Sequence, residues 1–125
     1  MERRILIVED DPDISALARF ALEELGHQIM TCENGREVFA ALKSFNPELV
    51  LMDVALPGID GHTLVTMMSQ DEDFRKIPVI VLTAHEGARQ LFTSFQQVNR
   101  FIPKPFEMDE LMGAVSEALG RNLSG

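Results

Sequence analysis

Three stretches of the chain are continuously apolar: residues 4–9 (Arg-Ile-Leu-Ile-Val-Glu), 48–53 (Glu-Leu-Val-Leu-Met-Asp) and 78–83 (Pro-Val-Ile-Val-Leu-Thr). Apolar runs of this length without alternation suit strands covered on both faces, as in a parallel sheet. Residues 28–32 and 100–103 are more mixed, as edge strands are, and Pro103 belongs near an edge or a strand end.

Between these runs the apolar period lengthens to that of a helix. Ile14, Leu17, Ala18, Ala21, Leu22 and Leu25 share one face of a first helix, which Asp11 can cap, Pro12 can begin and Gly26 can end. Val38, Ala41, Leu42 and Phe45 mark a second helix. A third starts around Gly61 and carries Leu64, Val65, Met67 and Met68. Ala88, Leu91, Phe92 and Phe95 mark a fourth; Met108, Leu111, Met112, Val115 and Leu119 mark a fifth. The alternation predicts a (βα)5 α/β fold, a doubly wound parallel five-stranded sheet with right-handed crossovers. Three buried and two exposed strands fit the order 2-1-3-4-5.

Composition narrows the class. The 125 residues, 46% hydrophobic and 25% charged, suit one globular domain with a real core. We expect it to span 1–121, with 122–125 a C-terminal tail or linker remnant. No apolar run approaches the ~20 residues that cross a bilayer, and the start Met1-Glu2-Arg3-Arg4 does not read as a signal peptide. Cys32 is the single cysteine, which excludes an internal disulfide and fits a cytoplasmic location. The net charge of −9 argues against direct nucleic-acid binding by this domain.

Chemistry enters where the strands end. The first ends in Glu9-Asp10-Asp11, the third in Asp53, the fourth in Thr83 and the fifth in Lys104. Parallel strands bring these ends to one rim, where open α/β sheets bind ligands. A single Asp after a strand is ordinarily a cap or turn former, and Asp11 reads as that. Glu9, Asp10 and Asp53 together place about −3 in a small space, which a divalent ion and Lys104 neutralise. All-oxygen ligation by few protein groups favours Mg²⁺ over Ca²⁺. Asp53 can then serve as a nucleophile toward phosphorus. The Lys104 ammonium suits the phosphoryl oxygens, and the Thr83 hydroxyl and backbone amides can donate to them. Pro57, Gly58 and Gly61 turn the loop after Asp53, letting a backbone carbonyl, by position that of Ala55, face the metal.

Four pieces in order carry a resemblance. They are Ile-Leu-Ile-Val-Glu9-Asp10-Asp11, Leu-Val-Leu-Met-Asp53-Val-Ala-Leu-Pro57-Gly58-Ile-Asp60-Gly61, Pro78-Val-Ile-Val-Leu-Thr83-Ala84 and Phe101-Ile-Pro-Lys104-Pro105-Phe106. Over essentially its whole length the sequence resembles the receiver domain of bacterial two-component response regulators, which have the flavodoxin-like, CheY-like fold. The resemblance implies that Asp53 is the phosphoacceptor of a phosphorelay and a metal ligand. It implies Asp10 as a direct Mg²⁺ (or Mn²⁺) ligand, Glu9 as an acid acting through water, and the Ala55 carbonyl as the backbone ligand. Thr83, the Ala84 backbone and Lys104 correspond to phosphoryl-binding groups, and Thr83 with Phe101 to the switch pair. His85 and Ala55 fall where the family tunes phosphoryl lifetime. The Lys104–Pro105 bond is expected to be cis.

The implied partners are a sensor histidine kinase or histidine phosphotransfer protein, and an output partner or domain. The latter would meet the face of fourth helix, fifth strand and fifth helix, which also serves phosphorylation-dependent homodimers; no membrane is implied. One departure stands out. Many receivers carry a Gly-Ala-Asp-Asp-like turn before the fifth strand, and this chain has Gln97-Val98-Asn99-Arg100. The fourth helix is therefore expected to end differently, with Gln90, Thr93, Ser94, Gln96 and Gln97 facing outward. His27, His62 and Cys32 have no partners at metal-ligand spacing and read as structural or surface groups.

Two other functions compete. An aspartyl-phosphate phosphohydrolase commonly places a second acid two residues after its nucleophile, where this chain has Ala55; we therefore expect a switch and not a turnover enzyme. A phosphorylation-independent interaction module with a vestigial site is the other alternative, although every site residue is present.

Overall fold

The computed structural model describes residues 2–124; Gly125, the end of the expected tail, and Met1 lie outside the described residues. The strands are β1 (Arg4–Val8), β2 (Gln28–Cys32), β3 (Leu49–Asp53), β4 (Val79–Thr83) and β5 (Val98–Pro103). The helices are α1 (Pro12–Glu24), α2 (Val38–Phe45), α3 (Gly61–Ser69) and α4 (Met108–Ser124). Short 3₁₀ segments occupy Gly35–Glu37 and Glu86–Phe92. The helical backbone of α4 thus continues through Asn122–Ser124.

All five strands are parallel, in the order β2-β1-β3-β4-β5, as the sequence pattern predicts. Every residue of β3 and β4 is buried, whereas β2 and β5 are mixed. The strand alternation sends side chains into two separate cores. Leu6, Val8, Val50, Met52 and Val81 face α2 and α3, where Leu42, Leu64 and Met68 meet them. Ile5, Ile7, Leu51, Ile80 and Leu82 face α1 and α4, against Leu22, Leu111 and Val115. Burying such side chains on both faces is the main stabilising term, ~1.5–3 kcal/mol for each large one.

Caps fix the helix starts at the rim where the polar residues gather. The Asp11 carboxylate accepts from the Asp13 and Ile14 N–H groups, and Asp60 caps α3 through Thr63 N–H at 2.9 Å. Gly26 takes φ +92° just past α1, the left-handed turn expected of it.

Three expectations need correction. The fourth helix is no α-helix: Glu86–Phe92 is 3₁₀ and Phe95 lies beyond it. Its His85 start has no side-chain cap, Gly87 weakens the first turn, and the Thr93 hydroxyl donates back to the Gln90 carbonyl. Gln97 does not face outward. It is buried, and Nε2 donates to the Phe74 carbonyl at 3.1 Å and the Ile77 carbonyl at 2.9 Å. The helix faces are also narrower than their periodicity: Leu17 and Leu91 are 59% and 53% exposed, and Leu25 and Met67 are exposed too. On α1 the residues that reach the core are Ala18, Ala21 and Leu22.

Candidate functional site

The pairing of β1 with β3, β3 with β4 and β4 with β5 aligns their C-terminal ends, so the polar residues that follow the apolar runs converge. They line one cleft of about 530 Å³ whose wall includes Glu9, Asp10, Asp53, Ala55, Thr83, Ala84, His85 and Lys104. Every residue singled out from the sequence for metal or phosphoryl contact is therefore here, together with Pro12 and Ile14 of α1, which sequence reading missed. Phe101 is not. It lines a neighbouring cavity of about 380 Å³ with Thr83, Arg89 and Pro103, so Thr83 borders both spaces.

Glu9 and Asp53 are buried at the cleft floor, and Asp10 is exposed at its edge. Each offers a carboxylate oxygen, and those oxygens lie within 4.8 Å of one another. Lys104 reaches in from the end of β5, with Nζ 2.6 Å from Glu9 Oε1 and 3.3 Å from Asp53 Oδ2. Glu9 Oε1 accepts no well-angled hydrogen bond, while Oε2 accepts from the Asp11 N–H at 3.1 Å. Burial pushes the Glu9 carboxyl up to about 7; Asp53 adds to the rise, and Lys104 and the Asp11 N–H oppose it. Burial alone would lower the Lys104 ammonium, but its ion pair with Glu9 and the charge of Asp53 raise it.

The donor set fits a small hard cation. Three carboxylates in reach of one another, two of them desolvated and sharing one ammonium, are short of positive charge, and all offer oxygen. The loop beyond β3 is held in place for this role. Asp53 Oδ1 accepts from the Ala55 N–H at 3.4 Å, and the Gly61 N–H donates to the Val54 carbonyl at 2.9 Å. A Cβ on Gly61 would sit 2.5 Å from the Asp53 carbonyl oxygen, so only glycine lets α3 start this close to the site. At Gly35 a Cβ would overlap the Ile59 carbonyl oxygen, so the backbone closes on the same loop from its other side.

Thr83, the last residue of β4, lines the same cleft. Its hydroxyl is engaged locally, donating to the His85 carbonyl at 3.1 Å and accepting from the His85 N–H at 3.0 Å. The Thr83 carbonyl accepts from the Lys104 N–H at 2.8 Å, which ties β4 to the turn that presents the lysine. The next peptide, Lys104–Pro105, is cis as expected.

His62 has no metal-ligating neighbour among the described residues; its ring meets Phe92 and Phe95 edge-on at 5.5 and 5.8 Å. Cys32 is buried, and burial pushes its thiol up to about 11. His27 Nδ1 accepts from the Arg3 N–H, and burial lowers its pKa. The structural reading of all three holds.

A five-stranded parallel sheet with three acids, a hydroxyl and a lysine at one rim defines a class, and the comparisons agree. The sequence matches the response regulator receiver domain family over residues 5–116. The chain belongs to that family. It is 37% identical over 121 residues to the DNA-binding transcriptional regulator NtrC of Salmonella typhimurium, covering 95% of this chain and 25% of the relative. The chain thus spans about a quarter of that relative's length. The receiver domain of sensor histidine kinase PA1611 from Pseudomonas aeruginosa has a magnesium ion coordinated in its active site cleft. It superposes with a TM-score of 0.85 at 27% identity, over 96% of this chain and 99% of that one. Response regulator TrrA from Thermotoga maritima, in complex with Mg²⁺-BeF, gives 0.81 at 33% identity, over 93% of this chain and 98% of that one.

Proposed function

We propose that this receiver domain is a phosphorylation switch that accepts a phosphoryl group on Asp53. The observation that carries the reading is the placement of Asp53: a buried carboxylate on the cleft floor, 3.3 Å from the Lys104 ammonium that reaches into the same cleft. In the transfer, an Asp53 carboxylate oxygen forms a bond to phosphorus as the P–N bond of a donor phosphohistidine breaks. The electron pair stays on the imidazole nitrogen, which takes a proton from water. Little covalent work is asked of the protein, and positioning and charge neutralisation carry most of it.

Glu9, Asp10, Asp53 and the Ala55 carbonyl would hold a Mg²⁺ or Mn²⁺ ion, which when bound supplies positive charge to the phosphoryl oxygens. Lys104 orients those oxygens from the β5 side, with the Thr83 hydroxyl and the Ala84 N–H beside it, and His85 and Ala55 set the access of water. Once phosphorylated, the site draws Thr83 away from His85 and Phe101 moves with it. That reshapes the face of the Glu86–Phe92 segment, β5 and α4 for an output partner or a second copy. The donor is a sensor histidine kinase or a histidine phosphotransfer protein, and the setting is the cytoplasm. No helix among the described residues is long and apolar enough to cross a membrane.

Ala55, in place of a second acid two residues after the nucleophile, supports a switch over a turnover phosphohydrolase. The test is incubation with acetyl phosphate and Mg²⁺, followed by intact-mass measurement. A single Mg²⁺-dependent phosphoryl adduct, absent in Asp53→Asn, is the expected result. Folded protein that takes no label from acetyl phosphate or from a phosphohistidine donor overturns the reading.

A further inference from the structure

The ring of Phe101 is half-buried and borders the 380 Å³ cavity it shares with Thr83, Arg89 and Pro103, so close packing does not hold it on that side. Two groups of one segment grip it instead. The Arg89 guanidinium carbon lies over the ring, 5.3 Å from its centroid, and buried Phe92 meets it edge-on at 5.9 Å. Their spacing is the key. In a 3₁₀ segment residues i and i+3 eclipse, so Arg89 and Phe92 project on the same side of Glu86–Phe92. An α-helix there would set them about 60° apart around the axis, as neighbours on one face but no longer eclipsed. Phe92 is itself fixed through His62 of α3, whose ring is 5.5 Å away, so one jaw of the grip is anchored in the core. The other jaw, Arg89, is exposed and free to leave.

We propose that Arg89 is a positioning residue that latches Phe101 in its half-buried place and so favours the arrangement in which Thr83 stays hydrogen-bonded to His85. The inference rests on the switch reading above. Opening the latch costs one cation–π contact at an exposed site, a factor of about two to five in the equilibrium between the two arrangements. Arg89→Gln removes the cation and keeps much of the chain length; Arg89→Lys restores a cation.

The experiment compares wild type, Arg89→Gln and Arg89→Lys by NMR in Mg²⁺ buffer, with the Phe101 ring resonances identified by their loss in Phe101→Leu. The same three proteins are then brought to a fixed, sub-saturating concentration of acetyl phosphate. Arg89→Gln is expected to move the Phe101 resonances before any phosphodonor is added, with Tm lowered by no more than a few degrees. It is also expected to raise the ratio of labelled to unlabelled protein two- to five-fold. Arg89→Lys should return both to the wild-type values. Unmoved resonances, an unchanged ratio, or Arg89→Lys behaving as Arg89→Gln overturns the latch. A wild-type chain that takes no label overturns the switch reading instead, and the resonances of the unlabelled proteins then decide the latch alone.

Discussion

The Lys104 ammonium lies nearer to Glu9, at 2.6 Å, than to Asp53, at 3.3 Å. The lysine is therefore shared between an acid of β1's end and one of β3's end, and it offsets both while they are out of water. Replacing it by methionine leaves two buried carboxylates facing each other without a cation. In urea denaturation with EDTA at pH 8, Lys104→Met is expected to lose about 3 kcal/mol, the low end for breaking a buried pair. At pH 5, where Glu9 carries a proton, the loss should be smaller. Equal losses at both pH values would contradict the sharing.

The raised Glu9 value makes a separate statement about pH. Its folded value of about 7 lies above the ordinary 4.5, so between those limits the folded chain holds a proton that the unfolded chain has lost. Stability of the metal-free protein therefore falls as pH rises from about 5 to 7, by at most ~3 kcal/mol. His27, lowered by burial, gives a slope of opposite sign in an overlapping window. The diagnostic is thus the difference between wild type and Glu9→Gln in EDTA, which should grow in favour of the glutamine variant up to about pH 7. A pH-independent difference would count against a protonated Glu9.

Two glycine substitutions are expected to move in opposite directions. Gly35→Ala drives a Cβ into the Ile59 carbonyl, which is backbone and cannot give way cheaply. A loss of ~2 kcal/mol or more follows, and the loop carrying Ala55 shifts, which amide chemical shifts of residues 54–60 would report. Gly113 lies on the exposed side of α4, and a methyl group added there would meet nothing within 4 Å. Gly113→Ala should raise stability by about 0.5–1 kcal/mol through helix propensity alone.

Gln97→Leu tests the buried tether before β5. The leucine fills similar space but removes the donor to the Ile77 carbonyl and leaves the Phe74 carbonyl only the Ile77 N–H, at 3.1 Å. Thermal or urea unfolding is expected to show a loss of about 1–3 kcal/mol, the cost of one stranded buried acceptor. A neutral result would mean that water serves those carbonyls equally well.

Much of the site was legible because its signal is local. A parallel strand covered on both faces must be apolar along its length, so the first polar residue after it marks the rim, and Glu9, Asp53 and Thr83 announce themselves. The order of strands followed from the contrast between β3 or β4 and the mixed β2 and β5. What stayed hidden depends on distant partners. Gln97 reads as surface because its acceptors, Phe74 and Ile77, are far away in sequence. Leu17 and Leu91 fall at apolar spacing, yet periodicity says which way a face points and nothing of how far a neighbour covers it. The 3₁₀ form of Glu86–Phe92 was masked by Ala88, Leu91, Phe92 and Phe95, which fit an α period better than their backbone does. Arg89 could have been noticed only as the residue three before Phe92.

Gln97 also has a mechanical consequence. It pins one end of the connection between β4 and β5, while the Thr83 carbonyl, bonded to the Lys104 N–H at 2.8 Å, pins the other. A beam clamped at both ends cannot travel when pushed; it bows, and the deflection is largest at mid-span. Mid-span here is Arg89 to Leu91, where the apolar side chain of Leu91 already stands in solvent. A small displacement at Thr83 would then be magnified there, far from both clamps, and the partner that reads it need touch neither.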